Sequence, residues 1–164
     1  MTLYATAGTK LFIGGALDQK SVDFVEADFT SQVWVEIKNL DTLGTIGDTS
    51  QSVTQSIIGE GRDKVLKGTR SAGTMECVAA IDNTDAGQLA AIAAEKTPFD
   101  YAFKIVLNDA PASGDAPTPS ERKFIAKVMS AAEAFDQANS VMKLNISLAV
   151  NSNIVRKAAA TGDA

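Results

Sequence analysis

Apolar and polar side chains alternate with a period of two along several stretches of the chain, the pattern of strands with one buried and one open face. The clearest is 99–108, where Phe99, Tyr101, Phe103, Ile105 and Leu107 point one way and Asp100, Ala102, Lys104, Val106 and Asn108 the other. Burying such large side chains contributes roughly 1.5–3 kcal/mol each, so this strand is expected to anchor the core. Residues 141–151 repeat the pattern, with Met142, Leu144, Ile146, Leu148 and Val150 opposite Lys143, Asn145, Ser147 and Asn151. A third stretch, 32–38, sets Val33, Val35 and Ile37 against Trp34, Glu36 and Lys38, so Trp34 serves either local packing or a neighbour. Residues 10–17 predict a shorter strand broken by Gly14 and Gly15, and 18–31 a long acidic loop. Turn-rich 39–51 leads to two β-prone runs, 52–58 and 74–81, which read as the arms of one long hairpin. In the second run Met75, Cys77, Ala79 and Ile81 share a face, which makes Cys77 a small core residue rather than a nucleophile.

A different period marks one helix. Asp82, Asn83, Thr84 and Asp85 offer N-caps, and Leu89, Ile92, Ala93 and Lys96 follow at helical spacing until Pro98 ends the run. Its narrow apolar stripe is expected to lie on the outside of a sheet. After a loop carrying Pro111, Pro117 and Pro119, residues 121–135 fit two patterns. Phe124, Val128 and Phe135 with Ile125 and Met129 suit a helix, whereas Ile125, Lys127 and Met129 alternating with Phe124, Ala126 and Val128 suit a strand. The pattern by itself leans to a helix. The divisions expected are one domain over 1–155 and a flexible tail over 156–164.

Between the arms of the expected hairpin lies 58–73, which holds Gly59, Gly61, Gly68 and Gly73 and four cations, Arg62, Lys64, Lys67 and Arg70. Such an excursion is either a solvated loop or an arm that orders only against another subunit. Charge adds to the second reading. Residues 1–60 carry eight acids and three bases, whereas 61–73 carry one acid and four bases, so copies could attract head to tail.

Composition mostly excludes. The chain has 164 residues, enough for one domain with a real core. Its net charge of −5 argues against a protein that grips nucleic acid. No histidine is present, which removes the usual general base and metal ligand and any Ser-His-Asp triad. A single cysteine allows no internal disulfide. No cofactor, metal or catalytic residue is predicted. The glycines match no phosphate-binding fingerprint, and the paired carboxylates Asp82/Asp85 and Glu133/Asp136 sit where caps and turns sit. The N-terminus lacks a signal-peptide pattern, and no apolar run is long enough for a membrane helix.

In order, the segments Val33-Trp34-Val35-Glu36-Ile37, 61–70 with Lys67-Gly68-Thr69-Arg70, the short helix, Leu107-Asn108-Asp109, 122–128 and the final alternating strand span most of 10–152. Together they resemble the tail tube proteins (major tail proteins) of long-tailed, non-contractile bacteriophages, the group that includes the phage lambda tube protein. The resemblance implies a mainly β fold, an antiparallel β-sandwich or barrel with one flanking helix, and a strand rather than a helix at 121–130. It implies hexameric rings stacked into a hollow virion tail tube, assembled in the bacterial host cytoplasm, through which genomic DNA passes without specific binding. Implied partners are further copies of the chain, a tape measure protein, a tail terminator protein and distal tail or tip proteins, with no membrane. The arm residues Gly59, Gly61, Arg62, Lys64, Lys67, Gly68, Thr69 and Arg70 are then expected to order across the subunit interface. The four cations among them would face acids within 18–41. Lumen-facing candidates are Lys143, Asn145 and Ser147 on one strand, or Asp100 and Lys104 on another. Some relatives carry an added immunoglobulin-like domain, which this chain is not expected to have. Rival readings are a tube protein of a contractile phage or secretion-type injection machine, a carbohydrate- or ligand-binding β-sandwich module, and a carboxylate-based hydrolase.

Overall fold

The computed structural model describes residues 1–162. Its strands are β1 (Lys10–Ala16), β2 (Val35–Ile37), β3 (Leu40–Thr42), β4 (Thr49–Gln55), β5 (Lys64–Ser71), β6 (Thr74–Ala80), β7 (Tyr101–Val106), β8 (Glu121–Ala134), β9 (Lys143–Val150) and β10 (Val155–Lys157), with one helix, α1 (Ala86–Glu95). Eight of them form one antiparallel sheet in the order β2-β1-β7-β8-β9-β6-β3, with β10 paired to β8. β2 and β3 stand at opposite ends of that order yet are joined by Lys38 and Asn39 alone, with Asn39 at φ 60°. So short a link brings the two ends of the order together, so the sheet curls round on itself into a barrel-like shape. The chain is mainly antiparallel β with one flanking α-helix.

The barrel interior is filled from alternate positions of the strands: Leu11 and Ile13, Met75 and Cys77, Phe103, Phe124, Leu144, Ile146 and Leu148. Phe103 and Phe124 are register partners and stack with centroids 5.9 Å apart. Residues 121–134 are a strand, as the resemblance implied and against the helical lean of the pattern. The reason is burial on both faces: Phe124 and Val128 enter the barrel, while Ile125 packs outside under Phe24 and Phe29. A strand buried twice loses its alternation.

The expected hairpin between 52–58 and 74–81 does not form. β4 pairs with β5, which lies inside the supposed loop, and β6 pairs with β9 and β3. Met75, Cys77 and Ala79 need a covered face, and only the barrel supplies one; β4, Thr-Ser-Gln-Ser-Val-Thr-Gln, has almost nothing to bury. At the other end of the chain, β10 continues the line of β9 along the same edge of β8. Asn151 N–H donates to Ile125 C=O, Ser152 Oγ accepts from Ile125 N–H, and pairing resumes at Val155 with Lys123. A further bridge joins Thr118 and Ala160. Residues 163 and 164 of the expected tail lie outside the described residues.

Helix α1 closes the barrel against β8, β2 and β1. Asp85 caps it, its carboxylate accepting from Gln88 N–H at 3.1 Å and from Lys38 N–H at 3.1 Å. Its buried face is not the expected stripe. Gly87, Gln88, Ala91 and Ala94 face inward and Leu89 is exposed, and at Gly87 the helix lies too close to β2 for any side chain. A Cβ on Gly87 would stand 2.5 Å from the Glu36 carbonyl carbon and 2.7 Å from Ile37 Cα. Gln88 is 2 % exposed and fully bonded: Nε2 donates to the carbonyls of Ala80 (2.8 Å) and Lys38 (3.1 Å), and Oε1 accepts from Asp82 N–H (3.0 Å). It ties the end of β6 to the β2–β3 turn where the barrel closes. Gln88→Leu keeps the volume but strands these three groups, and is expected to lower unfolding free energy by about 3 kcal/mol in urea titrations.

Candidate self-association surface

The β4–β5 hairpin forms a two-stranded sheet of its own, apart from the barrel sheet. Cross-strand partners include Val53 with Leu66 and Thr54 with Val65, so one apolar pair lies on one face and Val65 on the other. All of these are exposed, as are Ile57 and Ile58 in the connecting turn. Two strands alone are marginally stable in water, and exposed aliphatic side chains on both faces add no internal contacts.

The turn has a defined shape. Glu60 N–H donates to Ile57 C=O at 2.9 Å, Ser56 Oγ donates to Asp63 Oδ1 at 2.6 Å, and Lys64 pairs with Glu60 at 3.0 Å. Gly59 and Gly61 have open space where a Cβ would be. Gly68 sits near the register shift between Ser50 and Ser52, and a Cβ there would come within 3.2 Å of Val53 Cγ2. The eight arm residues singled out in the sequence thus fall together on the tip and second strand of the hairpin. Thr69 and the four cations are exposed. Among the described residues Arg62, Lys67 and Arg70 form no ion pair, although Arg70 borders a hollow shared with Asp23 and Asp48 at the hairpin root. Four cations against Glu60 and Asp63 give the 49–71 segment a charge of +2, leaving −7 on the rest of a −5 chain. Within 18–41, Glu26, Asp28 and Asp41 are engaged by Lys123, Lys20 and Lys143 of the same chain.

The two sets of lumen candidates occupy one surface. Register runs from Lys104 to Lys123 across β7–β8, from Lys127 to Ala149 across β8–β9, and from Ser147 to Glu76 across β9–β6, all on the outer side of the curled sheet. At the β7–β8 end that surface is roofed by the 18–34 segment, whose Phe24, Phe29 and Trp34 pack over Ala102 and Ile125. There Lys104 Nζ lies 4.7 Å from the Phe12 ring and 5.0 Å from Trp34, and burial lowers its pKa. Asp100, 7 % exposed, accepts from Lys127 (2.9 Å) and Asn151 (2.8 Å). Burial works against the charge of Lys123, but its hydrogen bonds to Glu26 and Glu121 outweigh this and hold its pKa up, which clamps the roof in place. At the β9–β6 end the surface is bare and mostly small or polar: Thr74, Glu76, Asn145, Ser147, Ser130 and Ala132. Sequence reasoning missed the roof; Phe24 and Phe29, two aromatics in an otherwise acidic run, were its one signal.

Of the paired carboxylates considered for chemistry, Asp82 and Asp85 do structural tasks. Asp82 Oδ1 accepts from Thr84 N–H and Oγ1, and Asp85 caps α1. Cys77 is buried, and burial pushes its thiol pKa up to about 12.

No protein-family model matches the sequence, and no curated protein matches it. Solved structures do match its shape. The SPP1 tail tube superposes with a TM-score of 0.61 at 15% identity over 95% of this chain and 80% of that one. A chain from the PVC sheath/tube terminator of an extracellular contractile injection system, in the extended state, gives 0.66 at 10% identity over 96% and 99%. A chain of the anti-feeding prophage baseplate, solved with six-fold symmetrisation, gives 0.63 at 12% identity over 96% and 98%. At these identities the likeness is one of fold, and a phage tail tube and contractile injection systems share it alike.

Proposed function

We propose that the chain is a tube protein of a phage-like tail, six copies joining into a ring and rings stacking into a hollow conduit for DNA. The observation that carries this is the detached cationic hairpin, with exposed aliphatic side chains on both faces, on a domain whose remaining residues carry a net negative charge. Its fold, shared with a phage tail tube and with a chain from a six-fold symmetrised baseplate, supports the same reading. A closed ring contact together with a non-closing stacking contact yields a filament. The two buried carboxylates, Asp85 and Asp100, are taken up by the helix cap and by the ion pair with Lys127.

Within that reading the bare surface of β6, β9 and the outer half of β8 lines the lumen, with Asn145 and Ser147 facing the passing DNA. Lys143, paired to Asp41 at 2.6 Å, adds little attraction for phosphate. The Asp100/Lys104 half, being roofed, is turned toward the body of the subunit. A tape measure protein setting length and a terminator closing the end complete the assembly. The segment order argues for a non-contractile tail; the match to the PVC chain favours, as a second reading, the tube of a contractile injection machine.

Electron microscopy of the concentrated purified chain, alone and with a nucleating tail tip, tests this. Rings or tubes of uniform width are expected. A monodisperse monomer that persists under nucleated conditions overturns the reading.

A further inference from the structure

We infer that a groove in the seam of the barrel is the receptor for the hairpin tip of a second copy. This rests on the self-assembly reading above and adds the place of contact. The groove, about 250 Å³, lies between the N-terminal segment and the strand-to-strand loop after β3, and is lined chiefly by Tyr4, Leu43, Ile46, Met75, Ile105 and Leu107. Met75 and Ile105 belong to the main core, so the floor of the groove is the edge of that core. It continues into a larger, more polar hollow of about 590 Å³ between Thr6–Thr9 and Leu40–Thr45.

What fits there is a short aliphatic tip, and this chain carries one. Ile58 is fully exposed and Ile57 stands beside it at the end of the β4–β5 hairpin. The chain's own tip does not reach its own groove. Ile46, in the groove wall, precedes the start of β4 at Thr49 by three residues, so the hairpin root abuts the groove. Seven extended residues of β4 then carry the tip roughly 20 Å away at ~3.3 Å per residue. A second copy must supply the occupant. Charge favours the approach, since the +2 hairpin segment meets a body of −7. Burial of the two isoleucines then supplies the contact that charge alone, screened beyond ~8 Å at physiological salt, does not.

Cross-linking between two preparations, one carrying Ile58→Cys and the other Leu107→Cys, tests the contact. The two are mixed, assembled and mildly oxidised, so that any disulfide joining them lies between copies. Cys77, buried with its thiol pKa near 12, does not compete. A disulfide-linked pair is expected in the assembled material, and none when Ser147→Cys replaces Leu107→Cys. Tubes that form without a disulfide from Ile58→Cys to Tyr4, Ile46 or Leu107 replaced by Cys overturn the groove and leave self-assembly standing. Equal cross-linking to Ser147→Cys overturns it too. Failure of the unsubstituted chain to form rings or tubes removes both readings. Ile57→Asp with Ile58→Asp, at two exposed positions, is expected to leave the thermal midpoint unchanged and raise the concentration needed for assembly roughly tenfold or more. An unchanged assembly threshold in that variant counts against the groove.

Discussion

Alanine at Gly87 is expected to lower the stability of the free chain by about 3 kcal/mol, although in an isolated helix the same change is favourable by about 1 kcal/mol. The added methyl meets backbone, not the movable end of a side chain. The Glu36 carbonyl carbon would lie at 2.5 Å and Ile37 Cα at 2.7 Å, with the carbonyl oxygen nearer still. β2 is held in register by β1 through Leu11–Ile37, Phe12–Glu36 and Ile13–Val35, so it cannot yield without breaking those pairs. The helix must instead lift, which loosens the caps at Asp85 and the three hydrogen bonds of Gln88. For a domain of this size that corresponds to a fall in thermal midpoint of roughly 6–12 °C. A midpoint equal to that of the unsubstituted chain, measured by calorimetry, would show that the helix sits farther from β2 than described.

Reversing charge in the hairpin should act on assembly instead. Arg62→Glu with Arg70→Glu takes the 49–71 segment from +2 to −2, since each substitution removes one positive and adds one negative charge. Both side chains are exposed and unpaired among the described residues, so the monomer should unfold as before. The hairpin then carries the same sign as the net charge of the body it must approach, and like charges across an interface cost several kcal/mol in total. We expect folded monomer and no tubes by electron microscopy at concentrations where the unsubstituted chain assembles. Added salt should recover assembly in part, because it screens the new repulsion. Normal tubes from the double variant in low salt would remove the cations from the contact.

The predictability of each element followed from how local its cause was. Helix α1 and its Asp85 cap were legible because capping and the Pro98 stop are encoded within a dozen residues. β7 and β9 were legible because their outer faces carry small or polar residues, Ala102 and Lys104 on one and Asn145 and Ser147 on the other, so the alternation survives, although Phe99 and Met142 fall outside the strands and are exposed. β8 was not, because the Phe24–Phe29 roof buries its outer side as well, and only a long-range fold brings that roof there. The hairpin was misassigned for a related reason. Two adjacent β-prone runs look like partners, and nothing local says that 74–80 prefers β9, more than sixty residues later. Of the candidate surface, composition exposed the cationic, glycine-marked stretch, since charge and glycine are visible without a fold. Its companion aliphatics drew no notice: Val53 sat in a β-prone run and Val65 and Leu66 inside the supposed loop, and only the paired strands show that their faces have nothing beneath them. The helix stripe was misplaced because Gly87 and the alanines look featureless, and their smallness matters only once β2 lies against them.

Because β4 and β5 hydrogen-bond only to each other, the hairpin's equilibrium with disordered chain is separate from the unfolding of the barrel. Substitutions between residues 49 and 71 can therefore retune how firmly neighbours hold one another while leaving the barrel's own melting untouched. In the proposed tube, joint strength and subunit robustness would then be set by different residues, so one domain could serve in brittle or in supple filaments.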